Sequence, residues 1–233
     1  MVPRAEAGPT SPGEAGQRYG LLLLSLVASV AVQGIAQPSG VQQVVVSALL
    51  GVTLLLAFRA ASLPSRLLLI ALVLAVVGVA LNVVRATTGD IGDGTARLAN
   101  ALLVALGPPA IALGVLRSLR SSGEVKIEAV MGVLSFYMLV GMLFAFVYGA
   151  IDRFSHQFFA DAAPATVSNC LYFSFTTLTT VGYGDLTART NLGHTLSTFE
   201  ALIGQIYLVT VVSLIVSNLG RRRRDPAPPS TAD

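Results

Sequence analysis

Long apolar runs separated by short polar connections fill this chain at 19–36, 41–58, 67–84, 98–119, 129–151 and 192–219. Wound as helices rising about 1.5 Å per residue, each crosses most of a hydrocarbon core about 30 Å thick, so the pattern predicts six spans. Between the last two lies 167–179, too short and too rich in Ser and Thr to cross. It suits a re-entrant helix, which needs protein or an aqueous cavity around it at membrane depth. Residues 1–18 mix Pro, Gly, Ala, Glu and Ser without periodicity and are expected to be a disordered tail, with a basic, Pro-rich tail at 220–233.

Composition narrows the class. The chain is 54% hydrophobic and 12% charged, against about 25% charged for a soluble domain. A membrane protein is implied, and no polar stretch is long enough for an attached catalytic or sensory module, so neither enzymatic activity nor a cofactor is expected. Cys170 is alone, which leaves no disulfide within the chain, and no Cys/His cluster has metal-ligand spacing. A reduced thiol packed in a helix is expected there.

The net charge of +3 does not point to nucleic acid, because the basic residues sit at the ends of the apolar runs. Alternating the connections across the membrane puts Arg4, Arg18, Arg59, Arg66, Arg117, Arg120, Lys126, Arg221, Arg222, Arg223 and Arg224 on one side. Arg85, Arg97, Arg153 and Arg189 fall on the other. The excess places both termini in the cytoplasm of a multi-pass cell-membrane protein. The outer connections collect Asp90, Asp93, Asp152, Asp161 and Asp185, which either raise local cation concentration or simply form a solvated surface. The first run, preceded by Arg4 and Arg18 and ending in Gly34, Ile35 and Ala36, also has the outline of a cleavable signal sequence. Its length favours a retained span, and later topology is the same either way.

The segment 176–185, TTLTTVGYGD, lies between the short helix and the last run. It resembles the pore loop of the potassium-channel superfamily, whose filter mechanism the resemblance brings with it. The residue types suit that mechanism. A dehydrated cation needs rings of oxygen in place of its water shell, and main-chain carbonyls of Thr180, Val181, Gly182 and Tyr183 supply stacked rings when four chains share one axis. Aiming successive carbonyls alike requires left-handed backbone at alternate positions, which Gly182 and Gly184 adopt cheaply. The Thr180 hydroxyl adds an oxygen ring at the inner end, while Val181 and Tyr183 are expected to point outward and brace the loop.

By the same resemblance, Tyr172 and Phe173 are an aromatic pair behind the filter, and Asp185 lies at the outer mouth, hydrogen-bonded behind it. Thr179 ends the pore helix, whose negative dipole end faces the membrane centre. The last run is similar to an inner, cavity-lining helix. There Gly204 is either a gating hinge or a close helix contact, and Gln205, Leu208, Val212 and Val216 face the cavity at helical spacing. Glu200 within this run ties the inner helix to the pore helix, pairs with Arg189, stays protonated or contacts ions, with a structural role favoured. Arg221, Arg222, Arg223 and Arg224 form a polybasic collar that anchors the helix and attracts anionic lipid.

The expected architecture is therefore an all-α membrane protein of six spans plus a re-entrant pore helix and filter loop. It comprises a four-span peripheral domain at 19–119, a linker at 120–128 and a pore domain at 129–219, in which outer helix 129–151, pore helix 167–179, filter 180–184 and inner helix 192–219 follow in order. Four copies would form a homotetramer passing K+. The peripheral domain resembles a degenerate voltage sensor: 98–116 holds no charge, Pro108 and Pro109 interrupt it, and 41–58 and 67–84 hold no acidic partner. Little voltage dependence is expected. Three rivals predict otherwise: a nonselective cation channel, a transporter that folds four such loops into one chain, and a nonconducting scaffold.

Overall fold

A computed structural model describes the backbone of residues 12–35, 40–61, 63–88, 102–106, 110, 127–155 and 157–222. Most of the expected fourth span with Pro108 and Pro109, most of the linker 120–128, and Arg223 and Arg224 lie outside the described residues. So do the side chains of Val212, Val216, Arg221 and Arg222. The described chain is helical: α1 (Pro12–Ile35), α2 (Gly40–Ala60), α3 (Ser65–Thr88), α4 (Ile127–Ser155), α5 (Val167–Leu178) and α6 (Asn191–Arg222). A single isolated bridge between Phe159 and Ala188 is the nearest approach to a strand among the described residues.

Two described helices are long and apolar enough to cross a bilayer, over Ser65–Val84 and Val130–Arg153, while Tyr19–Ile35 and Val44–Ala60 are shorter apolar stretches. One boundary departs from expectation. Helix α1 takes in Pro12–Arg18, which the sequence placed in a disordered tail. Proline is well suited to the first turn of a helix, where its missing N–H costs nothing, and Glu14, Ala15, Gln17 and Arg18 carry no breaker.

Helix α2 packs on α1 and α3, and α1 packs on α4 and α5. Helices α2 and α3 thus meet α4 and α5 through α1. A Cβ built on Gly20 would lie 3.6 Å from Met131 of α4, and Ser168 at the start of α5 donates to the Gly34 carbonyl at 3.4 Å.

A polar seam fixes the register of α1, α2 and α3. Ser25 meets Thr53 at 3.0 Å and the Tyr19 hydroxyl donates to the Ala60 carbonyl at 3.3 Å. This antiparallel register sets Ser47 opposite Ala31 and Val32, between Ser29 and Gln33. Asn82 of α3 donates to Ser47 at 2.7 Å and to the Gly78 carbonyl at 2.9 Å. Buried hydroxyls and amides of this kind favour one meeting of helix faces, because losing these bonds in apolar surroundings is costly.

Candidate functional site

Helix α5 starts at a capped turn, where the Thr166 side chain accepts from the Asn169 N–H at 3.1 Å. At its other end Thr179 caps the helix, its N–H and hydroxyl both donating to the Phe175 carbonyl, at 3.0 and 2.6 Å. The last helical carbonyls, which lack partners within a helix, then hold the loop that follows. Thr177 O accepts from the Thr180 N–H at 2.9 Å, and Thr176 O accepts from the Val181 and Gly182 N–H groups at 2.9 and 3.1 Å.

The N–H groups of Thr180, Val181 and Gly182 are tied back in this way. Among the described residues no hydrogen bond ends on the carbonyl oxygens of Thr180, Val181, Gly182 or Tyr183. The backbone takes left-handed values at alternate positions: φ is +59° at Thr180, +49° at Gly182 and +80° at Gly184. Sequence reasoning gave this conformation to the two glycines and missed Thr180, because a β-branched residue rarely adopts it. The period of two was the available signal: extending the glycine positions back by one step lands on Thr180.

Tyr172 and Tyr183 stack with ring centroids 6.1 Å apart and planes 6° from parallel, and the Tyr172 hydroxyl donates to Asp185 at 3.0 Å. Phe173 is placed differently. One position along the helix, it turns about 100° away and meets Tyr148, Phe158 and Phe159 at centroid distances of 5.2, 5.7 and 5.5 Å. It seats α5 against α4 and the loop after it. In the single chain Val181 is 53% and Tyr183 71% exposed.

The comparisons with known proteins fall on this region. Residues 132–221 match the family model described as "Ion channel". The chain is 33% identical over 89 residues to the inward rectifier potassium channel Kirbac3.1 of Paramagnetospirillum magnetotacticum, covering 38% of this chain and 29% of that one. It is 29% identical over 91 residues to the voltage-gated potassium channel regulatory subunit KCNF1 of Homo sapiens and of Rattus norvegicus, covering 39% of this chain and 18% of each. Residues 132–221 carry the chain's similarity to potassium channels. The chain spans less than a third of the length of these curated relatives.

Around the channel-type loop, α6 is fastened to α5 and α4. Gly204 lies directly against the end of the pore helix: an added Cβ would run into the Leu178 carbonyl oxygen and lie 2.9 Å from its carbon. That same carbonyl accepts from the Tyr137 hydroxyl at 3.0 Å. A close helix contact is thus present at Gly204. One turn earlier on the same face, Glu200 is fully buried. The Tyr148 hydroxyl donates to its Oε2 at 2.5 Å, and its Oε1 lies against Ser174 of α5.

Of the alternatives for Glu200, pairing with Arg189 is not what the structure shows. Arg189 follows the loop at 180–184, where its N–H donates to the Phe158 carbonyl at 2.8 Å and its guanidinium donates to Gln157. This backbone tie beside the bridge at Ala188 keeps Arg189 at the exposed end, while helix geometry carries Glu200 three turns inward. The partners Ser174 and Tyr148 were not legible in sequence, since they lie 26 and 52 residues away. Gln205 and Leu208 are exposed in the single chain.

Proposed function

We propose that this chain is one subunit of a homotetrameric, potassium-selective channel of the cell membrane, multi-pass with both termini cytoplasmic. It passes K+ down its gradient and catalyses no reaction. The observation that carries this is the run of unpaired carbonyls at Thr180, Val181, Gly182 and Tyr183 on a backbone left-handed at every second residue. Irregular backbone with unsatisfied polar groups is tolerated at membrane depth only where protein or water covers it. Lipid tails offer these oxygens nothing, whereas a dehydrated K+ offers what they lack.

Beside the loop, α6 presents Phe199, Leu202, Ile203, Ile206 and Val209, all exposed in one chain. An apolar face flanking an exposed polar loop fits a neighbouring copy, and four copies around the loop close a ring of carbonyls. In that assembly Thr180 to Gly184 form the filter, and Tyr172, Thr179 and Asp185 support it. Gln205 and Leu208, followed by Val212 and Val216, line the cavity. Arg221, Arg222, Arg223 and Arg224 meet anionic lipid at the cytoplasmic face.

The test is the reversal potential of the reconstituted full-length protein under opposed K+ and Na+ gradients. A potential close to that of K+ is expected. A potential midway between the two ions would overturn selectivity and support a nonselective cation channel, and absence of any current would support the scaffold.

A further inference from the structure

The buried carboxyl of Glu200 lies in a place that hydrogen-bond bookkeeping can decide. Ser174 carries one hydroxyl proton, yet its oxygen is in contact with two others, the Gly141 carbonyl at 2.6 Å and Oε1 of Glu200. A carbonyl oxygen only accepts. The Ser174 proton therefore goes to Gly141, and the proton between Ser174 and Glu200 must be supplied by the carboxyl group. Tyr148 donates to the other carboxyl oxygen, which completes a set with one donor for each contact. A carboxylate here would leave two acceptors competing for one hydroxyl proton, with a charge fully buried and no cation against it among the described residues.

The surroundings bear this out. The titratable groups facing Glu200 are Tyr137 and Tyr148 of α4, with Cys170 of α5 beside Tyr148. On its own helix, His194 lies against the Ala188 carbonyl at 2.7 Å and the Tyr207 hydroxyl donates to Val133 at 2.5 Å. Helix α1, which also packs on α4 and α5, contributes only Tyr19 among its described side chains, and that hydroxyl turns to Ala60.

We infer that Glu200 is a protonated positioning residue, a latch whose single proton holds α6 to the pore helix and so sets the filter. The route is short. Ser174 is two residues before Thr176, whose carbonyl holds the Val181 and Gly182 N–H groups. Raising the pH passes the latch proton to solvent and leaves Ser174 with one proton for two acceptors. Either α5 slips from Gly141 of α4 or α6 slips from α5, and the filter loses its fixed support. The inference rests on the channel reading for its consequence, though not for the proton itself.

Full-length protein is reconstituted in planar bilayers in symmetrical K+, and the pH is raised on each side in turn. The wild type should lose open probability at alkaline pH along a one-proton curve. Glu200→Gln replaces the acid with an amide that donates to Ser174 and accepts from Tyr148, so its profile should be flat, while Glu200→Ala loses current at every pH. His194→Asn should keep the alkaline decline. A flat wild-type profile, or an unchanged decline in Glu200→Gln, overturns the latch. Infrared spectroscopy reads the proton without any current: the carbonyl stretch of an un-ionised carboxyl should be present in the wild type at neutral pH and missing in Glu200→Gln. Its absence from the wild type overturns the inference whether or not the protein conducts, and its presence in a protein that passes no K+ condemns the channel reading alone.

Discussion

At the residue scale, conformation rather than space governs the filter glycines. A Cβ built on Gly182 or Gly184 meets nothing within 4 Å in the chain, so an alanine there is opposed by its positive φ. The left-handed region costs an L-residue about 1–2 kcal/mol, and four subunits would meet that cost around one axis. Gly182→Ala should therefore abolish selective K+ current while leaving assembly intact, checked by recording alongside native gel mobility. Tyr172→Phe is the gentler counterpart. It keeps the stack on Tyr183 and deletes only the bond to Asp185. It should hasten current decay in low external K+ without moving the reversal potential.

Gly182 and Gly184 were legible in the sequence because only glycine is at ease with such dihedrals, so residue type announces backbone. Thr180 was not, since its type argues against the geometry it adopts and only its place in the alternation betrays it. Glu200 shows a second limit. An acid inside an apolar run signals a site, but the partners that settle its protonation come from other helices, and nothing in its own neighbourhood of sequence names them.

Among the elements, glycines divide into contacts and bystanders, and substitution separates them. Gly204 of α6 faces the Leu178 carbonyl too closely to admit a methyl group, whereas a Cβ on Gly149 of α4 would make an ordinary 3.8 Å contact with Cys170. Overpacking costs about 1–3 kcal/mol, while alanine in a helix interior is better than glycine by about 1 kcal/mol. Gly204→Ala should lower the thermal midpoint of the detergent-solubilised protein, and Gly149→Ala should leave it level or raise it. Equal effects would mean that α6 does not dock through Gly204.

Five of the six apolar runs coincide with described helices, and most of the fourth lies outside the described residues. Length and hydropathy could not say how the helices pack. In α2 the apolar residues run all round the helix, so no face is marked for a partner. The seat of α1 on α4 and α5 is carried instead by scattered small and polar groups, Gly20, Gly34 and Ser168. Asn82, the single polar residue in its apolar run, and Ser47, one of four in its own, were the sequence's trace of the seam between α2 and α3.

For the whole molecule, the proposed assembly gives the exposed loop and the apolar face of α6 their neighbours, and its copy number follows from ion chemistry. A ring built from one carbonyl per chain surrounds K+ only when several chains contribute, and four loops supply two adjacent rings with eight oxygens in the filter geometry proposed. Mass measurement of the protein released from detergent should give four chains of 24.2 kDa. A stable monomer with Tyr183 exposed would leave the carbonyls of the loop without a shared ion.

The peripheral helices decide a different question at this scale, whether the membrane field opens the pore. Moving one elementary charge through the field is worth about 2.3 kcal/mol per 100 mV, so steep gating needs several charges carried on a helix through the bilayer. The described parts of α1, α2 and α3 carry Arg18, Arg59, Arg66 and Arg85 near their ends and no acidic residue between positions 19 and 88. Charges already at the interface gain little by moving, and without acidic partners they have no second resting place inside. Open probability recorded from −100 to +100 mV in symmetrical K+ should therefore change with an effective charge below about one per tetramer. A curve with several effective charges would locate a sensor in the peripheral helices, and neutralising Arg59, Arg66 and Arg85 one at a time would then show which of them moves.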